Sequence, residues 1–251
     1  MTLKGANLRN LSVFVDYDNI DLRHRAQGPV SLARMIFGLL PANLVHPYDA
    51  LNFRLYGGWR ASNLLTAAAQ LLLPDIRENS PTVGSCTYIG TNKPLKIHVA
   101  LAEGPLGTRT RFEQTLVRNR PLRYFRTNQV LWRDCSDSSN CGMAHLHTAH
   151  NATKCGNSGC FVQIGDVLVR DEQKMVDTLL VADVAYEAFV SAADEVVLVC
   201  SDADMWPGIF LALQKGCRIT QIHSKPGWKT PKHLLGSLNH AMLQRYREIS
   251  F

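Results

Sequence analysis

The stretch Leu11-Ser-Val-Phe-Val-Asp16-Tyr-Asp18-Asn19 is an apolar run that stops on a carboxylate. A short run of branched and aromatic residues reads as a strand buried on both faces, the habit of parallel sheets. Open parallel sheets place their sites just beyond the carboxyl ends of the strands, and Asp16 falls at such an end. The construction returns in Glu195-Val-Val-Leu-Val-Cys200-Ser-Asp202-Ala-Asp204, and Asp177 opens a helix in Lys174-Met-Val-Asp177. Asp16, Asp177, Asp202 and Asp204 form the pattern of a carboxylate cluster that holds a divalent metal.

Outward from these runs the chain alternates strands with helices. Val30 to Leu40 has apolar residues at helical spacing before Pro41, and Leu51-Asn-Phe-Arg-Leu-Tyr56 alternates and stops at Gly57-Gly58. Ala61 to Leu73 reads as a helix ended by Pro74, and Cys86 to Ile89 and Lys96 to Leu101 read as short strands. Gln173 to Val190 reads as a long helix, Pro207 to Lys215 as a helix closed by Gly216, Arg218 to His223 as a strand, and Lys232 to Arg247 as a basic terminal helix. Strand–helix alternation predicts an α/β fold, a three-layer α/β/α arrangement around a mostly parallel sheet.

With 251 residues, 46% apolar and 19% charged, the chain has enough material for a full core in one large domain carrying an insertion, which excludes disorder as the default. No apolar stretch approaches the roughly 20 residues that span a bilayer, and no signal-peptide pattern opens the chain, so a cytoplasmic location is expected. A formal charge of +6 favours an anionic partner. Between 109 and 133 lie seven arginines, among them Arg111, Arg118, Arg120 and Arg123, against the single acid Glu113, with Tyr124, Phe125 and Trp132 interleaved. Arginines for phosphates beside aromatics that stack on bases suit single-stranded RNA; the competing reading is a solvated basic face.

Cys135 and Cys141 have five residues between them and Cys155 and Cys160 have four, with His145, His147 and His150 between the pairs. Two close pairs of thiolates are how a structural zinc is held, because each short loop sets half of a tetrahedron. A structural Zn2+ on these cysteines is expected, with a histidine in place of one cysteine as the variant arrangement. Cys86, Cys200 and Cys217 read as small core residues.

Four blocks in order, Val13-Phe-Val-Asp16-Tyr-Asp-Asn19, Tyr56-Gly57, Lys174-Met-Val-Asp177 with Asp183, and Leu198-Val-Cys-Ser201-Asp202-Ala-Asp204 followed by Gly216, resemble the NYN domain family of PIN-like nucleases. The resemblance frames most of the chain but not residues 79 to 165, which have no counterpart and stand as an insertion. It departs at Cys200-Ser201 before Asp202 and Met205-Trp206 after Asp204. It implies a Rossmann-like sheet and a metal-dependent endoribonuclease. Asp16, Asp177, Asp202 and Asp204 would hold Mg2+ or Mn2+, Asn19 would orient a phosphate or water, and Lys174 would neutralise a phosphate oxygen. Asp183 matches an acidic position that points elsewhere on its helix. RNA is the implied substrate, with a homo-oligomer or protein complex as a further possibility.

Two other classes fit part of the pattern. Asp16-Tyr-Asp18-Asn19 after a strand also resembles the nucleophile motif of haloacid dehalogenase-like phosphatases, departing from it at Asn19 and Ile20. An inactive RNA-binding protein would grip RNA with the arginine-rich insertion and the zinc knuckle, but a binder of anions gains nothing from four concentrated carboxylates. Capping explains Asp177 and Asp204 singly, since carboxylates are favoured at helix starts, but not the whole set.

Overall fold

The computed structural model describes residues 8–121, 154 and 157–251. The chain divides into two compact units, one of residues 1–115 with 173–251 and the other Leu116–Glu172. The first unit is built on a seven-stranded sheet. Its strands are β1 (Asn10–Asp16), β2 (Ala50–Tyr56), β5 (Thr82–Tyr88), β6 (Thr91–Leu101), β9 (Glu195–Val199), β10 (Arg218–His223) and β11 (Tyr246–Ser250). A two-stranded ribbon of β3 (Arg60–Ala61) and β4 (Leu64–Leu65) lies apart from it. In the second unit, β7 (Leu116–Pro121) pairs with β8 (Val169–Gln173), whose last residue, Gln173, belongs to the first unit, and a single helical turn spans Ile164–Val167.

The main sheet runs β11-β10-β9-β1-β2-β6-β5, parallel throughout except that β5 returns antiparallel along β6. The parallel strands thus build outward from β1 in one direction through β2 and β6, then in the other through β9, β10 and β11. That reversal is the strand order of a Rossmann-like sheet, in which the crevice lies where the chain changes direction, here beyond β1 and β9.

Both faces of the sheet are covered. Val13, Val15, Phe53 and Val197 pack on one face with Leu32 and Ile36 of the helix Pro29–Leu39, while Phe14, Val196 and Leu198 face Leu180 and Val184 of Val176–Phe189 and Ile209 of Trp206–Lys215. All five residues of β9 are buried, and burial on both faces accounts for the apolar run of its last four, Val196 to Val199. Each such side chain contributes about 2 kcal/mol of hydrophobic stabilisation.

Three elements differ from the sequence expectation. The helix expected over 61–73 runs Ala67–Asn79 and carries Pro74 inside it. Thr66 sets its start by accepting a hydrogen bond from the Ala69 N–H, and the preceding residues are spent on β3 and β4. Gln173 ends β8, and the helix expected from there begins at Val176 after Met175, whose backbone is left-handed with φ 62°. The expected terminal helix is two single turns, Lys232–Leu235 and His240–Leu243, followed by β11 on the sheet edge. Asn239 restarts the chain there by capping the Met242 N–H, and Tyr246, Glu248 and Ile249 find partners or packing that a free helix would not give them. Residues 82–101, within the stretch set apart as an insertion, supply β5 and β6 of the main sheet. Among the described residues no helix is long and apolar enough to cross a membrane.

Candidate metal centre

Asp16 is the last residue of β1 and only 3% exposed. Because Val15 pairs with Val199, the next residues along the two parallel strands, Asp16 and Cys200, come side by side. The Cys200 thiol donates to Asp16 Oδ2 at 2.9 Å, and the Asn19 amide donates to the same oxygen. Burial pushes the Asp16 carboxyl above its ordinary value, against the lowering effect of these two donors and with a further upward push from Asp18.

Asp202 follows β9 and caps the short turn Ala203–Met205, its Oδ1 accepting the Asp204 N–H at 3.0 Å. Its own N–H donates to Cys200 Sγ at 3.2 Å, so one sulfur touches both Asp16 and the Asp202 backbone. Asp204 is exposed beside it. Asp177 lies in the first turn of Val176–Phe189 and is exposed as a residue. Partial burial of its carboxyl and then the charges of Asp16, Asp202, Asp204 and Asp18 hold it above the usual carboxylate range. The four expected carboxylates, with Asp18 added, therefore share one field at the mouth of the β1–β9 crevice.

Asp18 is engaged by the chain itself. Arg25 sits 3.2 Å from its Oδ1, while Gln173 and the Gly58 N–H donate to Oδ2. A Cβ at residue 57 would stand 2.8 Å from that oxygen and closer still to the Trp59 ring, so the turn after β2 requires Gly57. Lys174 lies between β8 and the helix that carries Asp177, its N–H on the Thr115 carbonyl at 3.0 Å.

Among the described residues, no three His, Cys, Asp or Glu side chains already stand at ligand spacing. The donor set still suits a hard cation: all-oxygen carboxylates, two of them pushed upward in pKa, with Asp18 paired to Arg25. Asp183 is unlike them. It is 1% exposed and fully engaged by Arg54 Nε at 2.9 Å, the Tyr56 hydroxyl at 2.6 Å and the Leu106 N–H at 2.8 Å.

The remaining expected residues lie elsewhere or outside the described residues. Arg111 and Arg118 are exposed, and Arg120 is within β7. Cys160 is a free, half-buried thiol, while Arg123, Cys135, Cys141, Cys155 and the three histidines lie outside the described residues. From the sequence Cys200 reads as a core residue, and Asp18 has a role only in the phosphatase reading. The strand register would have found Cys200, since two in-register parallel strands ending together place their next residues side by side.

No protein-family model, no curated protein and no solved structure matches this chain.

Proposed function

We propose that the chain is a metal-dependent ribonuclease of the NYN, PIN-like kind, hydrolysing phosphodiester bonds at the crevice beyond β1 and β9. The observation that carries this reading is geometric: Asp16 ends β1 and Asp202 and Asp204 follow β9, the two strands that lie in register at the switch point of the sheet, with Asp177 within reach of their charges. Asp16, Asp177, Asp202 and Asp204 would hold Mg2+ or Mn2+. A bound cation of this type supplies charge stabilisation at a phosphoryl oxygen and lowers the pKa of a coordinated water.

The chain's own residues do the rest. Asn19 and Cys200 fix the orientation of Asp16, and the Asp202 cap holds the β9 end in place. Lys174 would meet a phosphate oxygen beside Asp177. Arg111, Arg118, Arg120 and Arg123 would grip the RNA backbone, and a zinc on Cys135, Cys141, Cys155 and Cys160 would brace the second unit. The phosphatase reading is weaker because its acid–base residue would be Asp18, whose two oxygens are taken by Arg25, Gln173 and Gly58.

The test is incubation of the purified chain with labelled single-stranded RNA and DNA in manganese, magnesium or EDTA, with Asp16→Asn alongside. Cleavage of RNA that needs the metal and falls by about a thousandfold or more in Asp16→Asn, with the melting temperature preserved, is expected. Equal cleavage by the variant would remove Asp16 from the reaction.

A further inference from the structure

From Met205 to Arg247 the chain has no Asp or Glu, yet it carries four lysines and three arginines. Part of this basic stretch lies beside the carboxylates. β10 is parallel to β9, so both strands end on the same edge of the sheet. Ser201, the residue before Asp202, accepts the Lys225 N–H at 3.1 Å and the Ser224 hydroxyl at 3.2 Å. The segment that leaves β10 is thereby pinned to the residue next to a proposed metal ligand.

The pinned segment is a small rigid platform. Lys225-Pro226-Gly227-Trp228 closes on a Trp228 N–H to Lys225 carbonyl bond of 3.2 Å, with Pro226 second and Gly227 third at φ 75°. Proline in that place and a left-handed glycine after it suit a type II turn. The far end is clamped as well: the Thr230 N–H donates to Glu248 at 3.0 Å, and its hydroxyl meets Tyr246 at 2.6 Å. Between the buried Ser224 and Thr230, every residue from 225 to 229 is exposed.

What the platform displays is an indole and two ammonium groups. Trp228 is 48% exposed, and the Lys225 ammonium stands 4.6 Å from its ring centroid, with Lys229 next in the chain. A solvated loop gains nothing from holding a large aromatic in water. A single-stranded nucleic acid gains from it twice, because any base stacks on an indole and lysines neutralise the flanking phosphates. The acid-free stretch also offsets the repulsion that the carboxylates next door exert on a polyanion.

We propose that Lys225, Trp228 and Lys229 form a strand-binding platform that stacks one base of a single-stranded nucleic acid beside the β1–β9 crevice. This rests on the reading of that crevice as a nuclease centre only for what happens to the strand afterwards. Binding itself needs no metal.

Fluorescence anisotropy of a labelled oligouridylate titrated with the full chain in EDTA tests it, using Trp228→Ala, Trp228→Phe and the double variant Lys225→Ala/Lys229→Ala. The expected result is an affinity about tenfold weaker for Trp228→Ala, with most of it restored in Trp228→Phe because a smaller ring still stacks. The double lysine variant should reduce the slope of log affinity against log salt by about 1.4. Wild-type affinity in both Trp228→Ala and the lysine variant would overturn the platform, as would no binding by the wild type. A manganese cleavage assay on the same samples separates the two ideas. Binding through Trp228 without cleavage leaves the platform and removes the nuclease; cleavage with affinity indifferent to Trp228 and to both lysines does the reverse.

Discussion

Asp177 and Asp183 sit on one helix, Val176–Phe189, and have opposite fates. Asp183 is sealed from solvent and receives a guanidinium, a phenol and a backbone N–H. Asp177, at the start of the same helix, meets four other carboxylates and is pushed upward in pKa. A fold that needs a negative charge for itself surrounds it with donors, as it does for Asp183. Carboxylates gathered so that they repel one another are tolerated at a cost, and that cost is the physical argument for a bound cation beyond β1 and β9.

The difference can be broken most forcefully at Asp183. Replacing Asp183 by Asn would leave the Arg54 guanidinium without its counter-charge and should cost about 3 kcal/mol of stability, as removal of one member of a buried pair does. Urea denaturation measures it, and Asp177→Asn is the control that should keep wild-type stability or gain slightly from relieved repulsion. A destabilised Asp177→Asn beside an unaffected Asp183→Asn would reverse the assignment of structural and functional carboxylates.

How much of this was legible beforehand depends on which physical signal each residue carries. β1 and β9 are buried on both faces, so their composition alone announced them, and the carboxylates that end them followed at once. The strand over 218–223 and the helix closed by Gly216 were equally plain, since the glycine takes the left-handed backbone, φ 102°, that ends a helix. β11 was not legible. Its residues are only partly buried, and an edge strand held on one side by β10 has a weaker apolar pattern than the basic, helix-favouring run before it. Pro74 misled because a proline disfavours a helix interior without forbidding it. The contact between Asp16 and Cys200 depends on which strand lies beside β1, and no local pattern encodes that neighbour.

Cys200 sharpens the comparison at a smaller scale, because from just beyond the neighbouring strand it gives Asp16 a donor. Cys200→Ser replaces the thiol by a hydroxyl that still donates and accepts, whereas Cys200→Val is of similar bulk and does neither. Partners behind a metal ligand are worth about tenfold or more in affinity. Manganese titration of cleavage and of the melting temperature should therefore give a midpoint about tenfold higher for Cys200→Val and close to wild type for Cys200→Ser. Equal midpoints for the two variants would reduce the thiol to packing.

Glu248 offers the gentlest test, as a carboxylate of the Asp183 kind at a half-open position. Burial alone would push it up, but the Thr230 hydroxyl and N–H, His223 and Tyr246 outweigh that and hold it below its ordinary value. A carboxyl lowered on folding contributes stability above its unfolded pKa and loses that contribution as pH falls through the folded one. Wild-type stability should thus decline more steeply on acidification from about pH 5 than that of Glu248→Gln, which cannot take up the proton. The effect is modest because solvent reaches the group. Denaturant midpoints measured across that range decide it, and parallel curves would show that the Thr230 clamp on the Trp228 platform does not depend on the Glu248 charge. Since the same carboxylate holds the Thr230 N–H, the variant should also loosen that clamp and weaken oligouridylate binding at neutral pH by less than Trp228→Ala does.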